Sequence, residues 1–379
     1  MGNSLNLCCK GVPEKMKITA VRLYTMNIPL ITPFKTALRT VNAIENLVVA
    51  VETDEGAVGY GEAPPTAVIT GDTIPSVAGA IQYFIAPKLI GREVDCFDAL
   101  HDVIESSMVH NTSAKAAIEI ALYDLVGKRW NVPLYKLLGG AKQQLETDIT
   151  ISVNPVDEMV RDAVTAAQRG FRILKIKVGN DVRLDVERLT AIKSAIPAGS
   201  VIRVDANQGW TPRQAVRIIK TLEDAGLDAD LVEQPVKAHD IEGMRYVTAN
   251  VDTPILADES VFSASDAIEI IRTHAADLVN IKLMKTGGLY GAMSIASIAK
   301  ACGVECMMGC MLEGNVAVTA AAHAALARGV ITRIDLDGPA LCKSNPVHGG
   351  AQFADSIITP SEGPGLGITG IDGLLPLEI

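Results

Sequence analysis

Five short apolar runs, each carrying an ionisable residue at its end, predict an α/β protein built on a (β/α)8-type barrel. The runs are 174–178, 201–205, 230–233, 254–258 and 278–282. The ionisable residues Lys177, Asp205, Glu233, Asp258 and Lys282 follow one another at intervals of 28, 28, 25 and 24 residues, the length of one βα unit. All five fall where strands end, and the C-terminal ends of barrel strands are where such folds build a site. The chain of 379 residues is long enough for one barrel of roughly 250 residues and a second, smaller domain.

Composition agrees. A hydrophobic fraction of 48% with only 4% aromatic residues implies a core of Ala, Val, Ile and Leu, as packed barrels prefer. A net charge of −10 argues against a nucleic-acid or anionic-membrane surface, and no apolar run is long enough to span a bilayer. Of the seven cysteines, Cys302, Cys306 and Cys310 have the spacing of ligands on a helix face. Because 304–308 reads as a strand, they are expected to be buried small hydrophobes. The odd count and the lack of a CxxC pair fit a reducing cytoplasm.

Residues 1–16 stand outside the pattern and are expected to form a disordered extension. Gly2 with Cys8 and Cys9 hints at acylation, but Asn6 stands where the myristoylation motif requires Ser or Thr, and a signal peptide's apolar stretch is missing. From 17 to 140 the pattern is that of an α+β capping domain. Residues 18–29 and 46–62 read as antiparallel strands, the second turning at Thr53-Asp54-Glu55-Gly56. Between them 33–40 is too polar and irregular for a strand. Stretches 74–90, 96–107 and 113–130 carry helical spacing.

The barrel is expected over 141–346. Its first strand is 148–153, with no ionisable residue at its end; 304–309 and 332–337 are strands seven and eight. From 347 to 379 the chain is turn-rich and is expected to complete the capping domain.

The strand 174–178 alternates apolar and basic residues, so Lys175 and Lys177 share one face. Two like charges in an apolar run are costly unless anions face them. Asp205, Glu233 and Asp258 supply the anions: three hard oxygen ligands without His or Cys, a set that selects Mg²⁺ or Mn²⁺. Asn207 shares a face with Asp205 and is placed to orient a ligand. A lone lysine, with an ordinary pKa of roughly 10.4, is a poor base near neutral pH. Burial, a second ammonium and a divalent cation all favour its neutral form. Lys177 on strand two and Lys282 on strand six would face each other across the mouth. A substrate carbon between them could lose a proton on one face and gain one on the other, with the metal stabilising an enediolate.

These motifs resemble the enolase superfamily in its muconate lactonizing enzyme subgroup. The resemblance rests on Lys175-Ile176-Lys177, Val204-Asp205-Ala206-Asn207, Val232-Glu233-Gln234-Pro235, Ala257-Asp258-Glu259-Ser260 and Asn280-Ile281-Lys282-Leu283-Met284-Lys285, and it covers about residues 17–375. Asp335 and Asp337, two apart on a strand and so pointing the same way, resemble the pair by which dipeptide epimerases hold a substrate's α-ammonium. The stretches 33–40 and 61–72 look close to L-Ala-D/L-Glu epimerases, in which the arginine matching Arg39 would pair with the glutamate side chain.

The resemblance thus implies an isomerase acting on a small dipeptide from cell-wall breakdown. It implies metal on Asp205, Glu233 and Asp258, bases at Lys177 and Lys282, and Lys175 lending positive charge. Rival readings are a dipeptide epimerase of other specificity, or a cycloisomerase or o-succinylbenzoate synthase, whose substrates have no ammonium for Asp335 and Asp337. A non-catalytic scaffold would not need three ligands and two bases. A phosphate site at Thr286-Gly287-Gly288 and Gly338 would be repelled by the neighbouring aspartates. Assembly into a homo-oligomer stays open.

Overall fold

The computed structural model describes residues 15–36, 39–179 and 181–378; the extension's first fourteen residues, with Cys8 and Cys9, lie outside them. The barrel is an eight-stranded parallel sheet whose neighbours follow chain order. Its strands are Ile149–Ile151, Ile173–Lys177, Val201–Asp205, Ala229–Glu233, Ile255–Ala257, Leu278–Lys282, Glu305–Gly309 and Ile331–Asp335. These are short, mostly β-branched or apolar runs, as expected of strands covered on both faces. Some of the helices between them start on side-chain caps, as where Thr211 accepts from Gln214 N and Ser263 from Asp266 N.

Strands one and eight meet at a seam bridged by three hydrogen bonds. Asp148 N donates to Ile334 O (3.3 Å), Leu336 N to Thr147 Oγ1 (2.8 Å) and Thr150 N to the Asp337 carboxylate (2.7 Å). Asp337 therefore lies beyond the eighth strand, which ends at Asp335, with helix-like backbone angles. The two aspartates do not share a strand face by alternation. A turn, not the pleat, brings the second one round.

The capping sheet consists of Ile18–Lys35, Thr40–Thr53 and Val58–Ala63, with Leu375–Pro376 pairing outside the first strand. It lies directly on helix Thr112–Trp130. A Cβ at Gly61 would stand 1.8 Å from Ala117 O, so only glycine allows that approach. Further C-terminal pairs tie Ile358 to Leu145 and Val347 to Ile371.

The expected irregular stretch is a correction. Pro33, Phe34 and Lys35 continue the first strand, with Phe34 opposite Val41 and Lys35 opposite Thr40 after a bulge. Lys35 is also docked on the barrel: its N–H donates to Ser152 Oγ, its carbonyl accepts from Val153 N, and its Nζ reaches Asn154 Oδ1 at 2.7 Å. Pairing and docking override the local polarity. Cys306 and Cys310 are buried as expected, but Cys302 ends helix Leu289–Cys302 and is exposed. Among the described residues no helix is long and apolar enough to cross a membrane.

Candidate active site

One pocket at the barrel mouth is lined by Arg39, Lys175, Lys177, Lys282, Asp335 and Asp337, with Asn207, Thr150, Phe34, Ile69 and the loop Cys310, Met311 and Leu312. Alternation places Lys175 and Lys177 on the inward face of strand two, as the sequence predicts. Lys177 Nζ lies 2.5 Å from Asp205 Oδ2; Lys175 Nζ lies 2.6 Å from Asp335, 2.7 Å from Glu233 and 3.1 Å from Asp205. Across the mouth, Lys282 Nζ is 2.6 Å from Asp258 Oδ2 and 3.9 Å from Glu233. All these side chains are buried.

In such a place the charges set each other. Burial pushes Asp205 up, but Lys177 and Lys175 outweigh it and bring its pKa down to about 2. Burial and repulsion from Asp205 push Glu233 up to about 8. Burial and Asp335 raise Asp337 to about 6. At Lys282 and Lys175 the carboxylates favour the charged form, not the neutral amine expected for the lysines. Burial works against the charge of Lys282, but Asp258 and Glu233 prevail and raise its pKa. Lys175 is raised likewise, by Asp335, Glu233 and Asp205. The sequence supplies the anions, Asp205, Glu233 and Asp258, but not their pairing with particular lysines, which decides the balance.

Three residues escaped the sequence reading. Lys285, buried, sits 2.7 Å from Asp258 Oδ1 and donates to the carbonyls of Asp258 and Asn280. Asn280 Nδ2 donates to Glu233 at 2.8 Å. Its spacing of two from Lys282 on a strand was a usable signal. Glu259, beside Asp258, is buried with its Oε2 unpartnered.

As the side chains stand, no group of three His, Cys, Asp or Glu among the described residues is arranged to hold a metal, and the carboxylates of Asp205, Glu233 and Asp258 pair with ammonium groups. The donor chemistry nevertheless fits a hard divalent cation. Asp205, Glu233, Asp258, Glu259, Asp335 and Asp337 face Lys175, Lys177, Lys282 and Lys285, which leaves two negative charges in excess when all are ionised. Asn207 Oδ1 and Glu259 Oε2 are buried oxygens without a hydrogen-bond partner, costly groups unless a cation or water meets them.

Fold and mouth together define a class, the capped barrel enzymes whose strand ends set lysines against a carboxylate cluster. Residues 158–372 match the enolase C-terminal domain-like family, and 18–139 match the mandelate racemase / muconate lactonizing enzyme N-terminal domain. The chain belongs to the enolase superfamily. It is 51% identical over 347 residues to an L-Ala-D/L-Glu epimerase of Clostridium acetobutylicum, covering 92% of this chain and 97% of that one. The substrate-liganded L-Ala-D/L-Glu epimerase of Bacillus subtilis superposes with a TM-score of 0.93 at 47% identity, covering 94% of this chain and 99% of the other. A dipeptide epimerase of Enterococcus faecalis, complexed with Mg and L-Leu-L-Tyr, superposes with a TM-score of 0.90 at 41% identity, covering 94% and 100%.

Proposed function

We propose that the chain is a Mg²⁺-dependent epimerase that inverts the α-carbon of the C-terminal residue of L-Ala-D/L-Glu. The observation that carries this reading is a single pocket lined by Lys177, Lys282, Asp335, Asp337 and Arg39. A dipeptide ending in glutamate brings a complement for each: an α-hydrogen, an ammonium and a side-chain carboxylate.

Lys177 and Lys282 stand on the second and sixth of eight strands, so a carbon between them presents one face to each amine. One amine takes the α-proton and becomes an ammonium; the other, already an ammonium, gives its proton to the opposite face. Configuration inverts and no proton is gained or lost overall. Lys175 keeps positive charge beside the substrate's α-carboxylate. Asp335 and Asp337 receive the ammonium, and Arg39 the glutamate side chain. Asp205, Glu233 and Asp258 would hold Mg²⁺, which when bound supplies Lewis-acid stabilisation to the α-carboxylate as the proton leaves.

The same proposal divides the chain into a capping domain (17–140), a barrel (141–346) and a C-terminal segment (347–379), acting in the cytoplasm on a peptide from cell-wall breakdown. In deuterated buffer with Mg²⁺, L-Ala-L-Glu should acquire deuterium at the glutamate α-carbon and yield L-Ala-D-Glu. A chelator should stop this and added Mg²⁺ restore it. Turnover that survives complete chelation would remove the metal from the reading.

A further inference from the structure

Glu62 is a buried carboxylate outside the site just described. It sits on capping strand Val58–Ala63, yet two of its three hydrogen bonds go to the barrel, the third coming from Asn46 on the neighbouring capping strand. Oε1 accepts from Gly314 N at 2.7 Å and from Asn46 Nδ2 at 2.6 Å, and Oε2 accepts from Ala317 N at 3.0 Å. Helix Asn315–Ala327 has no side-chain cap of its own at Gly314, so the capping domain supplies the carboxylate that its first N–H groups need. The fit is tight: a Cβ on Gly314 would lie 2.6 Å from Glu62 Oε1.

What makes this joint more than glue is what lies on either side. Three residues beyond Glu62, the carbonyl of Pro65 accepts from Arg39 Nη1 at 3.4 Å, and Val68 and Ile69 line the pocket. On the barrel side, Cys310, Met311 and Leu312 line the same pocket just before Gly314. Asn46, already bonded to Glu62, also donates to Leu312 O at 3.4 Å.

We propose that Glu62 is a positioning residue for specificity: it fixes the distance between the Arg39 side of the capping domain and the loop after strand seven. This rests on the Ala-Glu reading above. Glu62 touches no substrate. It holds the two walls between which the glutamate side chain is read.

A second interdomain cap provides the comparison. Glu119 accepts from Tyr290 N at 3.2 Å at the start of helix Leu289–Cys302 and pairs with His101 at 2.9 Å. It is as buried as Glu62, but neither it nor Tyr290 is among the residues that line the pocket with Arg39. A carboxylate only accepts, whereas an amide must set an N–H against one of the three donors that converge on Glu62.

The test measures kcat and KM for L-Ala-L-Glu and L-Ala-L-Leu in Glu62→Gln, Asn46→Ala and Glu119→Gln. In Glu62→Gln the ratio of the two kcat/KM values should fall on the order of tenfold, mainly through KM for the glutamate dipeptide. Asn46→Ala should shift the ratio in the same direction by less, and it serves as the readout if Glu62→Gln does not fold. Glu119→Gln should lower both substrates alike. An unchanged ratio in Glu62→Gln and Asn46→Ala, whatever their melting temperatures, overturns the proposal. A wild-type enzyme with no preference for glutamate overturns it together with the Ala-Glu reading, and that result is read before any variant is made.

Discussion

Arg39→Met is the substitution that most directly separates glutamate recognition from catalysis. Arg39 is half-buried, and this burial lowers the pKa of its guanidinium. No carboxylate among the described residues forms an ion pair with it, and its hydrogen bond to Pro65 O is long. A half-buried cation without an anion has a cost, so the protein keeps Arg39 at some expense to its own stability. A substrate carboxylate arriving at about 4 Å would gain about 4 kcal/mol at an effective dielectric constant of about 20. Stripping water from that carboxylate takes back about half, which leaves roughly 2 kcal/mol, or about 30-fold.

Arg39→Met should therefore lower kcat/KM for L-Ala-L-Glu about 30-fold, while L-Ala-L-Leu changes less than about threefold. The variant's melting temperature should stay level or rise, because the unpaired charge is gone. Steady-state kinetics on the two dipeptides and a thermal melt without substrate suffice. Equal losses on both substrates would refute the argument, since Arg39 would then be serving the fold or the common parts of the dipeptide.

Two further outcomes follow from other parts of the molecule. Lys177→Ala and Lys282→Ala should each abolish inversion while still exchanging the α-hydrogen of one stereoisomer in deuterated water; Lys282→Ala retaining more than about one part in a hundred of the activity, short of the ~10²–10⁴ typical of a general base, would end the two-base assignment. His323 is buried, its Nδ1 accepts from Tyr135 N at 2.9 Å, and burial brings its pKa down to about 3. Its folded value lies below the unfolded one, so on acidification the unfolded chain takes the proton first, and stability complete above about pH 6.5 is lost as the pH falls towards 3. In His323→Asn, whose Oδ1 can take the same N–H, the stability lost between pH 7 and pH 4 should shrink by about 3 kcal/mol, as measured by urea melts at each pH; an unchanged loss would show that His323 does not carry the acid sensitivity.

The barrel was legible because an ionisable residue inside an apolar strand is expensive and must have a reason. Lys175, Lys177, Asp205, Glu233, Asp258 and Lys282 announce themselves in that way, and the structure does bring them to one mouth. Their spacing also carries the fold, since a repeat of strand, helix and loops has few alternatives. What spacing does not carry is who pairs with whom. The ion pairs of Lys177 with Asp205 and of Lys282 with Asp258 depend on neighbouring strands in register. At Lys282 the carboxylates outweigh burial and raise the pKa, where the residue's own sequence surroundings suggested the opposite.

Asp337 and Glu62 mark the other limit. A period of two expects Asp337 on the face of Asp335, but the strand ends at Asp335 and a turn brings Asp337 round; only closure of the barrel reveals the partner it acquires, the N–H of Thr150 at a separation of 187 positions. That bond gives one carboxylate two tasks, bridging the seam and lining the pocket, so Asp337→Ala should disturb the barrel as well as ammonium binding, whereas Asp335 is held by Lys175. Glu62 meets Gly314 across 252 positions, and nothing local distinguishes it from a solvated glutamate at a strand end. Buried carboxylates that answer to distant N–H groups are invisible to periodicity because their meaning lies in the partner. In this fold those partners sit at the barrel seam, where Thr150 N meets Asp337, and at the domain joint, where Gly314 N meets Glu62.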